Sequence, residues 1–111
     1  MNTGVVTPNF TSNLSPETFA TSNVEHAAYA LCRDFEIVDA TFIKNSVLFH
    51  FQGNKADLRN LISEFRSGFE LPAVKFFASL TDVRQILRET RDGKREALER
   101  VRFFHGWERT Q

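Results

Sequence analysis

Residues 35–53, FEIVDATFIKNSVLFHFQG, constrain the fold more than any other stretch. The run is rich in Phe, Ile and Val and is cut by a polar, turn-forming Lys-Asn-Ser. It predicts two antiparallel strands, residues 35–43 and 47–52. Strand side chains alternate between faces, so Val47, Phe49 and Phe51 share one side while Leu48, His50 and Gln52 share the other. One side is wholly apolar and the other mixed. Such a hairpin is buried on one face only, and a lone two-stranded ribbon is marginal in water. Helices must supply the cover.

The helical period recurs on both sides of the hairpin. Ser22 and Glu25 have the spacing of a capping box, and Val24, Ala27, Ala28 and Leu31 follow at helical intervals, which predicts a short helix over 23–32. Asn54 opens NKADLRNLISEFRSG, in which Leu58, Leu61, Ile62 and Phe65 fall at i, i+3, i+4 and i+7. Asp57 suits the positive end of that helix, and Gly68 suits its exit. Pro72 fits the first turn of a third helix with two apolar lines, Val74–Phe77–Thr81 and Phe76–Leu80–Val83–Leu87. After Gly93, the residues Ala97, Leu98, Val101 and Phe104 predict a fourth helix from Lys94 to His105.

The fold expected is therefore α+β: a short N-terminal helix and a two-stranded antiparallel hairpin packed on two to three helices, one compact domain over residues 23–107. Twelve phenylalanines stand against one Trp, one Tyr and one Met, and Phe carries a large apolar area with no polar handle. The expected core is Phe35, Phe42, Phe49, Phe51, Leu61, Phe65, Phe77, Leu80 and Leu87. FRSGFELPAVKFF, residues 65–77, reads as two helix ends joined by a tight corner, with Phe69 left in the corner to meet a partner. Residues 1–22 hold no Lys or Arg, are rich in Thr, Ser and Asn, and are broken by Pro8 and Pro16. They read as a flexible N-terminal arm.

The order of these landmarks, a short helix, the hairpin FEIVDATFIKNSVLFHF, a helix ending EFRSG and then ELPAVKFFASLTDVRQIL, resembles a prokaryotic family of very small domains of unknown function. Members share a hairpin, an aromatic-x-x-Gly helix end and a helix starting a few residues later, and are also seen in phages and mobile elements. The resemblance covers residues 27–87 and leaves both ends of the chain outside it. It implies a compact α+β domain in a phage or mobile-element setting, and it brings no catalytic residues.

Several chemistries find no residues to carry them. Cys32 is the single cysteine, so neither an intramolecular disulfide nor a cysteine-based zinc site can form, and a reducing, cytoplasmic setting fits. No apolar run approaches the ~18 residues of a membrane span. His26, His50 and His105 are isolated, with neither H-x-x-x-H nor H-E-x-x-H spacing, and the five glycines are scattered singly rather than gathered in a phosphate loop. His26 and Cys32 sit six positions apart on one short helix, out of alignment for a nucleophile and its base. The expectation is a protein without enzymatic activity, with no catalytic, metal-binding or cofactor-binding residues.

Two kinds of partner remain. Formal net charge is zero, yet residues 83–111 hold eight Lys or Arg against five acids. Arg88, Arg91, Lys94, Arg95 and Arg102, with Trp107 as a stacking ring, form a candidate nucleic-acid segment. Glu89, Glu96 and Glu99 lie among the same residues and would oppose phosphate. The other outlet is a protein partner or self-association, through Phe69, Phe103, Phe104 and Trp107. An adaptor or inhibitor acting by protein contact is the leading expectation, and a nucleic-acid accessory protein the alternative.

Overall fold

The computed structural model describes residues 17–68 and 70–107. Phe69 and residues 1–16 of the expected arm lie outside the described residues. The elements in chain order are β1 (Thr18–Thr21), α1 (Val24–Cys32), β2 (Ile37–Ile43), β3 (Ser46–Gln52), α2 (Lys55–Arg66), α3 (Ala73–Arg91) and α4 (Glu96–Phe104). The α+β class stands, but the sheet has three antiparallel strands in the order β1-β3-β2, not two.

The additional strand comes from the end of the expected arm. Thr18 pairs with Gln52 and Phe19 with Phe51, so β1 takes the edge of β3 that β2 leaves open. Four residues with one buried ring carry no strand period of their own. Phe19 holds the strand by stacking on Phe51 at 5.5 Å and meeting Phe35 edge-on at 5.8 Å. The β2–β3 turn is Lys44-Asn45, both at positive φ (50° and 67°), between the paired Ile43 and Ser46. Two left-handed residues in a two-residue loop match the right-handed twist of the strands they join. β2 starts two residues later than expected, and its register shifts between Ile37 and Asp39.

The inner face of the sheet presents Phe19, Ile37, Ala40, Val47, Phe49 and Phe51, each 4% exposed or less. The core is organised around α1, whose residues Ala27, Ala28, Tyr29, Ala30, Leu31 and Cys32 are all buried. A helix that is buried all round is a core helix. Its alanines let α3 approach closely, and Val83 and Ile86 of α3 are fully buried in that region. The cap of α1 is Asn23, whose side chain accepts the His26 amide at 2.8 Å. The N-cap therefore lies one residue later than the expected Ser22–Glu25 box places it, as a single cap bond. At α2 the Asn54–Asp57 capping box is complete, with both bonds 2.9 Å long.

Two expected core rings are exposed. Phe42 is 46% exposed because it lies at the turn end of the inner face, beyond the helices that cover the rest. Phe77 is 63% exposed because α3 turns Phe76, Ser79, Leu80, Val83, Ile86 and Leu87 inward, which places position 77 on the far side. Phe35, Phe65, Leu80 and Leu87 are partly buried around the core, and Phe49, Phe51 and Leu61 are in it. Gly68 leaves α2 at φ 76°, and Pro72 stands at the N-cap of α3, one position before the first turn. Among the described residues no helix is long and apolar enough to cross a membrane.

Candidate functional site

The last helix is built from a break and a borrowed cap. Gly93, at φ 77°, lies in the short break that separates α3 from α4. The N-cap residue Arg95 offers no side-chain cap of its own. Glu89, from the last turns of α3, accepts the Ala97 amide at 2.7 Å and is itself held by the Gln85 side chain at 2.9 Å. These two bonds, Gln85 first, hold the Glu89 carboxyl below its usual range. Ala97, Leu98 and Val101 then bury the inner side of α4.

Two arginines clamp α4 to β2. Arg102 reaches the Glu36 carboxylate at 3.1 Å, donates to the Ile37 carbonyl and donates to the Trp107 carbonyl at 2.9 Å. Arg95 pairs with Asp39 and approaches the Ala40 carbonyl at 3.5 Å. Burial pushes the Asp39 carboxyl up, but the bonds from Arg95 and from the Ala40 amide outweigh it and leave the group lowered. Both clamps lie over the edge of β2 that pairs with no strand, where exposed carbonyls would invite another chain.

The six expected nucleic-acid residues have differing surroundings. Arg102 is largely covered by its contacts with Glu36 and Ile37, while Arg95 pairs with Asp39 from a half-exposed position. Arg88 donates to Gln85 on its own helix. Trp107 is partly buried and stacks on His105 at 4.2 Å and 17°. Lys94 is exposed at the bend, and Arg91 lines a cavity of about 220 Å³ with Ser22, Asn45, Ser46, Val47 and Leu87.

The protein-partner residues fare differently. Glu96, Glu99, Arg100 and Phe103 fall at i, i+3, i+4 and i+7 along the outer side of α4, with Phe104 beside them. Phe103 is 66% exposed and Phe104 74%, and their rings meet edge-on at 5.6 Å. The five residues line an open depression of about 490 Å³. Asp82 of α3 lies within electrostatic reach of Arg100 and His105, whose charges only partly oppose the upward push of burial on its carboxyl.

Groups with reactive chemistry lie apart from this surface. Cys32 is buried and its thiol is pushed up, chiefly by burial, which keeps it protonated. His26 packs edge-on against Phe65 at 5.5 Å and is lowered, by burial first and by Arg66 second. His50 Nε2 lies 2.9 Å from the Thr41 hydroxyl on the outer face of the sheet. Among the described residues no group of three His, Cys, Asp or Glu side chains could hold a metal ion.

A second surface, which local charge density does not reveal, runs along α2. Lys55, Arg59 and Arg66 recur at i, i+4 and i+11, and all three are exposed. That spacing is the sequence signal that could have found it. Compared with family models, curated proteins and solved structures, the chain matches none of them.

Proposed function

We propose that this protein is a non-catalytic interaction module that docks on a protein partner through the outer face of α4. The observation that carries this reading is the exposed Phe103–Phe104 pair on a helix whose other side is firmly anchored to the fold. An aromatic pair on an anchored helix suits the role of a hot spot, because little backbone freedom is lost on binding. The two rings expose roughly 250 Å² between them, given the 150–250 Å² of a whole aromatic side chain. That is well short of the ~800 Å² per partner of a stable interface. The pair is therefore an anchor within a larger footprint, and Glu96 and Glu99 beside it favour a partner with a basic rim. A buried, protonated Cys32 and the separation of the histidines go with a protein that binds rather than reacts. A cytoplasmic setting, in a phage or mobile element as the family resemblance implies, belongs to the same reading.

The test compares the wild-type chain with Phe103→Ser/Phe104→Ser as bait in host extract, with circular dichroism to show that both are folded. The expected result is a discrete partner captured by the wild type and lost with the double variant. A partner retained by the double variant would overturn the assignment of this face.

A further inference from the structure

The charges of α2 are sorted by side. The helix carries three cations and two acids, and both acids make bonds away from the cationic row. Asp57 closes the capping box by accepting the Asn54 amide at 2.9 Å. Glu64 accepts from the Tyr29 hydroxyl at 2.8 Å and pairs with Arg33, facing α1. What remains on the outward row is Lys55, Arg59 and Arg66, interleaved with Ile62 and Ser63, and no carboxylate of the helix. Among the described residues none of these three cations forms an ion pair. Arg59 and Arg66 flank an open depression of about 500 Å³ floored by Ile62, Ser63 and Ser67. Burial first and Arg66 second lower the His26 imidazole beside this row, with Glu25 opposing them.

We infer that the outer face of α2 is a nucleic-acid-binding face, with Lys55, Arg59 and Arg66 on backbone phosphates and Ser63 within reach of the same strand. Charge complementarity selects the occupant. A row of cations held in no ion pair, with Glu17 beside Lys55 as its one flanking acid, on an exposed helix about 18 Å long at 1.5 Å per residue, fits a groove that admits a single α-helix. The same row presents one partly buried apolar residue, Ile62, where an apolar protein surface would require several. The neutral total charge of the chain hides this face, because acids elsewhere in the chain offset its cations. The inference is independent of the α4 reading: α2 packs beside β1 and α4 beside β2, at opposite edges of the sheet.

The experiment measures fluorescence anisotropy of labelled duplex DNA, single-stranded DNA and RNA at low salt, titrated with the full chain. Variants are Lys55→Glu/Arg59→Glu/Arg66→Glu, the milder Arg59→Gln/Arg66→Gln, and the controls Arg88→Glu/Lys94→Glu and Phe103→Ser/Phe104→Ser, each shown to be folded by circular dichroism. The expected result is binding whose affinity falls with salt at a slope of about −3 on double-logarithmic axes for duplex DNA, as three phosphate contacts give. The triple reversal loses roughly tenfold or more in affinity, the glutamine pair shows a shallower salt slope, and both controls bind as wild type. No binding to any of the three nucleic acids would overturn the inference, as would equal loss in the Arg88/Lys94 control. Anionic lipid vesicles serve as a further arm, and binding to vesicles without binding to nucleic acid would also overturn it. Failure of α4 docking leaves these readings untouched, so the two assignments fail separately.

Discussion

The buried Tyr29 hydroxyl donates to the Glu64 carboxylate across 2.8 Å, joining the central helix α1 to α2. Arg33 shares the same carboxylate oxygen and also donates to the Tyr29 oxygen at 3.3 Å. This one contact does two things. It gives the single tyrosine of the core a partner, and it takes Glu64, one of the two acids of α2, off the outward face.

The contact predicts an asymmetry between its two ends. Glu64→Ala leaves a buried hydroxyl short of its acceptor and should cost about 1–2 kcal/mol, held at that level because Glu64 and Arg33 are partly solvated. Tyr29→Phe removes the donor together with its need for a partner and should cost less, under about 1 kcal/mol. Urea denaturation of the two single variants and the double variant measures the coupling. Equal costs for both single changes would show that the bond does not carry the stabilisation.

Gly53 sits where β3, β1 and α2 meet. Its φ is 147°, and a methyl group there would approach the Asp57 carboxylate to 2.9 Å and the Phe19 ring to 3.0 Å. Gly53→Ala should therefore disturb both the capping box and the β1 contact, at a cost of about 1–3 kcal/mol. Amide exchange of β1 and the first turn of α2 should rise more than that of β2. Uniform exchange, or unchanged stability, would contradict this account of the junction.

The hairpin turn offers a change in the opposite direction. Lys44 holds a left-handed conformation that its Cβ disfavours, and the tightest two-residue turns of this kind use Asn-Gly. Lys44→Asn/Asn45→Gly should raise stability by about 1 kcal/mol, read as a higher midpoint in thermal unfolding. A lower midpoint would mean that the lysine side chain stabilises the turn by a contact that outweighs the strain.

Acid should loosen α4 before the rest. The Glu89 and Asp39 carboxyls are both held below their usual values, Glu89 by Gln85 and the Ala97 amide, Asp39 by Arg95 and the Ala40 amide against burial. Lowered folded-state values mean that the stabilisation is fully present above the unfolded values of about 4 and is lost as the pH falls through the folded ones. Glu89→Gln keeps an acceptor for Ala97 and removes the charge. Its deficit against wild type should be largest near neutral pH and vanish in strong acid, and a deficit that does not change with pH would contradict the electrostatic part of the cap.

The legible part of the fold was whatever carried its own period. The alternation of Val47, Phe49 and Phe51 along β3, the Leu58–Leu61–Ile62–Phe65 stripe and the Asn54 cap each follow from local spacing, and each is where the sequence predicts it. β1 was not legible because Thr18–Thr21 becomes a strand only when the edge of β3 is there to receive it. The central place of α1 was hidden by its alanines, which look unremarkable in sequence yet are buried at Ala27, Ala28 and Ala30. Phe42 and Phe77 show the limit of reading ring size as burial, since position on the face decided both. Of the candidate sites, the exposed Phe103–Phe104 pair was visible as surplus aromatic residues. The basic C-terminal segment was visible too, but Arg95 and Arg102 serve the fold, and their acidic partners Asp39 and Glu36 lie more than fifty residues away in sequence.

The central claim is that the Phe103–Phe104 end of α4 touches another protein. Its most direct test is a photo-crosslinking amino acid placed at position 104 in the chain expressed in its host, with position 92 at the α3–α4 bend as control. A single crosslinked species of higher mass at 104, absent at 92, is the predicted result. Crosslinks confined to the protein's own chain ends, or the same adducts at both positions, would contradict it.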